Sequence, residues 1–415
     1  MLRHSKGADY THRSRQITLR ASRAIAILTA VGTSVLLVAT ATQWLGAARM
    51  PRVLARAGFD VSVLIPKGSL AEKSAFVSRI GFLPHNATSR EWVHAFAATV
   101  KATAPRLVLP CDDTALRLLM LLAVAPPQDM QAELKVQLQK LVADSLGDPE
   151  FYRTSIDKTQ VSAAAAAMGV PVPAHRVVSS LDEAEPFVAA HGFPLVVKRG
   201  QSTAGDGVAI CQNRDELAAA ITSLLRPAGL DFGDSAVGSV VLQAHERGRI
   251  HFYVAAAWQG ELLAGFACEK LEGEPMGPTT ATRYFRSKAM HDLTARLARG
   301  FGLTGIFSPE FIVREATGEP VLLELNRRMS HGSHIGSGFD VDIAAALYSA
   351  MHGVPPTSRA ELADGEMHLR AHFPSEWIRD VGSRWLREAR VDIPWDEPEL
   401  FKALVAEGRR RLQEG

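Results

Sequence analysis

The run Phe193-Pro194-Leu195-Val196-Val197-Lys198, followed by Gly200-Gln201-Ser202-Thr203-Ala204-Gly205-Asp206-Gly207, decides how this chain is read. Five apolar residues lead into a lysine, and a glycine-rich turn follows at once. A strand that ends in a cation beside a flexible loop suits a polyphosphate. The ammonium neutralises one oxygen, and glycine lets backbone N–H groups approach others without side-chain obstruction. The spacing is not that of a P-loop, because no Gly-Lys-Ser or Gly-Lys-Thr follows the glycines. Taken alone, the run is equally a surface hairpin with an incidental lysine.

Farther along the chain, Glu310 lies in the apolar stretch Gly305–Val313, and Glu324-Leu325-Asn326 closes the stretch that begins at Pro320. Side chains alternate along a strand, so Glu324 and Asn326 share a face. If the two stretches pair through the turn at Ala316-Thr317-Gly318, Glu310 joins them. The three then offer hard oxygen ligands of the kind magnesium takes when it bridges phosphates. Carboxylates flanked by Phe311, Ile312, Leu322 and Leu323 need such a reason, since an unpaired buried charge is costly.

Other strands are expected at Val208–Cys211, Val240–Gln243, His251–Trp258 and Leu262–Cys268, with a helix over Met290–Phe301, which makes the middle of the chain a mixed or antiparallel sheet with helices. Before it, Asp157-Lys158 opens a helix with Val161, Ala164, Ala165 and Met168 at helical spacing, stopped by Gly169 and by Pro171 and Pro173. Earlier still, apolar runs at Val35–Ala39, Val61–Ile65 and Leu107–Pro110 alternate with helical patterns, which predicts a small parallel α/β lobe. Asp112 and Asp113 follow its last strand, at the end where open sheets place ligands, although a helix N-cap accounts for them as well. Residues 124–150 read as a helical connection. Beyond Pro356 the tail reads as helical and charged, with Trp377, Trp385 and Trp395 as packing anchors. No internal repeat is evident.

A chain of 415 residues exceeds a single core and should divide into lobes. A net charge of +2 supplies no field for nucleic acid or an anionic membrane. Cys111, Cys211 and Cys268 are too dispersed for a disulfide framework or a zinc site, which fits a reducing cytoplasm. Residues 24–48 carry one alternative: an uncharged stretch behind Arg13, Arg15, Arg20 and Arg23 resembles a membrane anchor. A first strand, a loop over Thr40–Leu45 and a helix over Ala47–Ala57 stopped by Gly58 is the reading preferred here, with a basic tail before it and a protein soluble without detergent.

In order and spacing, the blocks from Ser155 to Arg328 resemble the ATP-grasp superfamily, especially the branch with biotin carboxylase and the carbamoyl phosphate synthetase subunits. The matching residues are Asp157-Lys158, Val170-Pro171-Val172-Pro173, Phe193–Lys198 with its glycine loop, Val241-Leu242-Gln243 with Gly248, Glu310, and Glu324-Leu325-Asn326. The fold class implied is α/β and α+β multidomain: a parallel α/β pre-ATP-grasp lobe, then a two-lobed ATP-grasp fold with mixed and antiparallel sheets. The expected divisions are an N-terminal extension over 1–32, the first domain over 33–125, the ATP-grasp domain over 126–355 and a helical segment over 356–415.

By that resemblance ATP and Mg²⁺ (or Mn²⁺) are the cofactors. Lys158 and Lys198 bind phosphate, and Ser202, Thr203, Ala204, Gly205, Asp206 and Gly207 form the loop that closes over ATP. Gln243, Ala244, His245 and Glu246 form the adenine hinge, with Gln243 and Ile250 standing where many relatives have acids. Glu310, Glu324 and Asn326 hold the metal. Arg328 is the catalytic arginine of an Asn-Pro-Arg pattern in which Arg327 replaces the proline. Arg283, His331 and His334 are candidate acceptor-site residues; Arg286 is a further clamp candidate. The implied activity is ADP-forming ligation, in which a carboxylate is phosphorylated and then coupled to an amine or another nucleophile. The partners are a small-molecule carboxylate and a nucleophile, with no nucleic acid, no membrane and a homodimer left open. The alternatives are a carboxylase using bicarbonate and a non-catalytic ATP-binding regulator.

Overall fold

The computed structural model describes residues 32–200, 207–225, 238–273 and 277–414. Three sheets organise them. The first is wholly parallel, in the order β3-β2-β1-β4, from β1 (Thr33–Val38), β2 (Phe59–Pro66), β3 (Arg79–Leu83) and β4 (Leu107–Pro110). β1, β2 and β4 read as almost unbroken apolar runs because both faces are covered, whereas β3 at the edge is largely exposed. Val35, Leu37, Val61 and Val63 belong to one core, and Leu36, Val38, Leu64 and Val108 to another.

The helix Leu45–Ala57 follows β1 and stops at Gly58, whose φ of 111° closes the turn. The stretch 32–48 is therefore strand, loop and helix start, and among the described residues no helix is long and apolar enough to cross a membrane. Residues 24–31 lie outside the described residues.

The second sheet is small and antiparallel, in the order β5-β8-β6-β7, from β5 (His175–Val178), β6 (Leu195–Arg199), β7 (Val208–Cys211) and β8 (Val240–Ala244). The helices Leu181–His191 and Arg214–Leu224 bury Ala184, Phe187, Leu217 and Ile221 in the core they share with this sheet.

The third and central sheet has seven strands in the order β13-β12-β9-β10-β11-β14-β15: β9 (Gly248–Trp258), β10 (Glu261–Gly273), β11 (Thr279–Phe285), β12 (Gly305–Arg314), β13 (Pro320–Asn326), β14 (Met367–Ala371) and β15 (Arg390–Val391). One face joins the first lobe in a common core that includes Val254, Phe266, Tyr284 and Leu347. The other packs against the helix Lys288–Gly300 through Leu293, Leu297 and Phe301. Where β8 passes into β9, Gly248 runs against β12: a Cβ there would stand 2.1 Å from the Val313 carbonyl oxygen. Only glycine allows that approach.

Two expectations are corrected. The segment after Pro356 is not simply helical, because β14 pairs antiparallel with β11 and β15 pairs with β14, before the helix Pro398–Glu414. Trp385 is buried and Trp377 packs beside Phe373, but Trp395 is 74% exposed and anchors little. The expected pairing of the two carboxylate-bearing strands is found, since β12 and β13 form a hairpin.

Candidate active site

The hairpin β12–β13 sets Glu310 directly across from Glu324 and Ser308 across from Asn326, all toward one face. The register shifts just after this pair, between Glu310 and Phe311, and Phe311 turns into the core. On the other side of the cleft, Asp157 caps the helix Lys158–Ala167 by accepting from the Thr159 N–H (2.9 Å), and the Lys158 N–H donates to the Gly200 carbonyl (2.8 Å). That bond ties the helix start to the end of β6, so both lysines point the same way. Lys158 reaches Glu324 at 3.2 Å, and Lys198 donates to the Leu323 carbonyl at 3.3 Å.

The charges within this group disturb one another. Burial, and then the Lys158 ammonium, lower the Lys198 pKa to about 8. Burial, and then the Glu324 charge, raise the Glu310 carboxyl to about 7. At Glu324 burial opposes ionisation, but the two lysines outweigh it and hold its carboxyl below the ordinary range. Two carboxylates and an amide oxygen on one face fit a hard divalent cation, and the raised Glu310 carboxyl marks negative charge that such an ion would neutralise. Two nearby ammonium groups fit the phosphates that such an ion bridges.

Ser202, Thr203, Ala204, Gly205 and Asp206 lie outside the described residues. Gly207 has a φ of 82°, and its carbonyl accepts from the Arg199 N–H (2.8 Å), which pins the base of the loop. Gln243 is buried within β8, between β5 and β6. Glu246 is engaged by Arg314 in a two-pronged pair of 2.6 and 2.9 Å. Its carboxylate is thereby occupied, and the Ala244 N–H donates to the Ala174 carbonyl (2.9 Å).

Arg328 enters a different set. Asp112 caps the helix Asp113–Val124 and accepts from Thr40 N (2.6 Å) and Thr40 Oγ1 (2.8 Å), so it joins the carboxyl ends of β1 and β4. The cap explanation for Asp112 holds. The neighbouring Asp113 pairs with Arg328 at 2.9 Å, while the guanidinium lies 4.8 Å from the Trp44 ring centre. Arg327, one residue earlier, points the opposite way. It is buried, donates to Ser155 Oγ (2.5 Å) and to the Leu146 carbonyl, and lies over Tyr152. Burial lowers its pKa to about 10. In place of proline, it fastens the end of β13 to the connecting helices.

The acceptor-site candidates divide. His331 meets Trp44 edge-on, at 4.5 Å between ring centres, and its Nε2 is enclosed without a partner. His334 does not join it: its Nε2 is bound to Asp392 at 2.6 Å, in a group with Arg49. Arg283 is also misplaced by the sequence reading. It pairs with Glu269 at 3.2 Å on the sheet face opposite Tyr284, and Arg286 pairs with Asp364 and Glu361.

A cavity of about 1060 Å³ opens beside Glu310, Glu324, Asn326 and Arg328. Its other walls come from the first lobe and from β9–β11, including Trp44, Trp92, Phe252 and Tyr284, with His372 and Arg411 from the tail. The sequence reading missed these walls. The local signs were Trp44 past the end of β1 and Asp113 past the end of β4, where a parallel sheet places ligands.

A family model described as "Carbamoyl-phosphate synthase L chain, ATP binding domain" matches residues 157–239. The carbamoyl phosphate synthase large chain of Methanobrevibacter smithii is 26% identical over 177 residues, covering 40% of this chain and 16% of that protein. The chain thus matches well under a fifth of that relative's length. A biotin carboxylase from Campylobacter jejuni, solved as a β,γ-ATP complex, aligns with a TM-score of 0.63 at 14% identity over 82% of this chain and 75% of its own. The biotin carboxylase domain of the Hydrogenobacter thermophilus 2-oxoglutarate carboxylase, solved with MgADP, ADP and bicarbonate, aligns with a TM-score of 0.61 at 15% identity over 81% and 74%. In its fold, in the matched ATP-binding segment and in the order of the blocks along it, the chain is similar to the ATP-grasp enzymes.

Proposed function

We propose that the protein is an ADP-forming ligase that activates a carboxylate with ATP and magnesium and passes the acyl group to an amine or another nucleophile. The observation that carries this reading is the set Lys158, Lys198, Glu310 and Glu324, two cations and two carboxylates in one cleft, with the titration of Lys198, Glu310 and Glu324 shifted. Such shifts concentrate where charge is handled during a reaction.

Glu310, Glu324 and Asn326 would hold the metal, which when bound supplies charge neutralisation for the transferring phosphoryl group. Lys158 and Lys198 would bind the phosphates, and the hinge backbone at residues 244–246 would take adenine. A substrate carboxylate oxygen attacks the γ-phosphorus, the bond to the β,γ-bridging oxygen breaks, and ADP leaves with that electron pair. Attack of the nucleophile on the resulting acylphosphate carbonyl expels inorganic phosphate, and the nucleophile's proton passes to solvent. Arg328, steadied by Asp113 and Trp44, would orient the acid. Magnesium as the ion, a small-molecule acid and nucleophile, a homodimer and a reducing cytoplasm belong to the same proposal. The three cysteines are free and buried, as the last of these requires.

The test is separation of nucleotide products after incubation with ATP, magnesium and a panel of acids and amines, bicarbonate included. ADP and phosphate in step with a coupled product are expected. AMP as the sole nucleotide product would overturn the reading, and turnover with bicarbonate alone would replace the organic acid by carboxylation.

A further inference from the structure

Beyond the carboxylate hairpin lies the cavity of about 1060 Å³, and its location separates it from the nucleotide. Glu310, Glu324 and Asn326 form one end, whereas Lys158, Lys198 and the hinge residues Gln243–Glu246 do not line it. A molecule held there meets the reacting phosphate only at that end, and the rest of the space is left to its body.

The walls around that space are mostly apolar and come from two lobes. Trp44, Leu83, Trp92 and Leu118 stand on the first lobe, and Phe252 and Tyr284 on the central sheet. Trp92 is held rigid by stacking on Phe96 at 5.2 Å, and Tyr284 by packing against Phe266 and Phe339. The first lobe can come this close because position 46 is glycine. A Cβ there would meet Trp44 Nε1 at 3.0 Å and the Ser330 carbonyl oxygen at 3.2 Å. Cationic charge near the hairpin comes from Arg328, already turned by Asp113 (2.9 Å) and stacked on Trp44 (4.8 Å). His331 meets Trp44 edge-on, and its Nε2 is enclosed and has no partner.

A one-carbon or two-carbon acid would satisfy the arginine and leave the aromatic walls facing water. An acid with a second charge would bury that charge among Trp44, Trp92 and Leu118, where the further cation of the lining, Arg411, is already paired with Glu407 (2.6 Å). We infer that the acid activated by this protein carries a bulky apolar body, of about the size of an aromatic ring, with its carboxylate at Arg328 and the ring between Trp44, Trp92, Phe252 and Tyr284. The inference rests on the phosphoryl-transfer reading only for the direction in which the carboxylate points.

Calorimetry of the full chain with magnesium and β,γ-methylene-ATP tests it through matched pairs: 3-phenylpropanoate against propanoate, L-phenylalanine against L-alanine, and succinate as the doubly charged acid. Within at least one pair the aromatic acid should bind at least about 10-fold more tightly, the return for burying a ring-sized apolar group, and succinate should bind most weakly. Trp44→Ala should erase most of that preference while leaving the affinity for β,γ-methylene-ATP unchanged, and Phe252→Leu provides the same readout if the first variant does not fold. Aromatic acids that bind no tighter than their small counterparts, including no binding by any of them, would overturn the inference, even if ADP were released with some other acid. An aromatic preference without ADP release on natural ATP would keep this inference and remove the phosphoryl-transfer reading instead.

Discussion

Two buried clusters of charge in this molecule contain both signs and yet behave oppositely. In the cleft, burial, and then the like charges that Lys158, Lys198, Glu310 and Glu324 place side by side, push one lysine down to about 8 and one glutamate up to about 7. Beneath the first lobe, Arg49 grips Asp392 through its carboxylate (2.7 Å) and its carbonyl (2.9 Å), and His334 binds the second carboxylate oxygen at 2.6 Å. There burial opposes ionisation of Asp392, but Arg49 and His334 outweigh it and hold the carboxyl far below the ordinary range. In the second cluster the charge on Asp392 is met by partners within the chain. In the first, a carboxyl is pushed toward its neutral form beside a second carboxylate, a conflict that is commoner at sites that handle charge than at structural joints.

The largest effect should follow from Glu324→Gln. It removes half of the metal-holding charge while keeping shape, so turnover should fall by at least about 10³-fold, the several kcal/mol that a bound metal contributes to charge stabilisation. Circular dichroism and the melting temperature should stay close to the parent. A folded variant with parental turnover would erase the distinction drawn here. Asp392→Asn should do the reverse: stripping the charge from a buried group with two partners should cost about 3 kcal/mol of stability, read by denaturant unfolding. Affinity for β,γ-methylene-ATP should not change, and a loss of that affinity without loss of stability would move the cluster into the site.

A shallower effect is expected with pH. Burial lowers the pKa of His331 to about 3 and of His372 to about 4, and it lowers that of His334 as well. Unfolded histidines take up protons near pH ~6.5, whereas these stay neutral in the folded chain, so the unfolded state binds more protons below that point. Stability should be full above pH ~6.5 and fall as the pH drops toward 4, by at most about 1.4 kcal/mol per pH unit for each histidine. Below pH ~3.9 the depressed Asp392 adds a loss in the same direction. Melting temperature measured from pH 8 to pH 4, with His372→Gln giving a shallower slope, checks the sign.

What could be read from the sequence follows the reach of each interaction. The apolar runs of β1, β2, β4 and β6–β10 and the hairpin of β12 and β13 announce themselves, because burial on one or both faces imposes a pattern within a few residues. Glu310 facing Glu324 follows from the same periodicity plus one turn. β3, β5 and β14 escaped because they lack a strong apolar run. Arg79-Ile80-Gly81-Phe82 is largely exposed, and Met367-His368-Leu369-Arg370 is a strand only because β11 offers it an edge. His334 and Arg283 could not be placed because their partners, Asp392 and Glu269, are distant in sequence or on another strand. The aromatic cavity unites residues from 44 to 411, a separation across which no local pattern carries information.

The position of β14 also matters while the chain is being made. Synthesis delivers β11 about 80 residues before β14, the strand that pairs with its outer edge. Until Met367–Ala371 emerges and pairs, the outer backbone groups of Ala281–Phe285 lack the strand that satisfies them in the finished protein. The nascent chain therefore passes through an interval in which a β-edge next to the ligand cavity is open to any other extended polypeptide. Slowing translation across residues 286–366 would lengthen that interval, whereas supplying the tail as a separate fragment would shorten it.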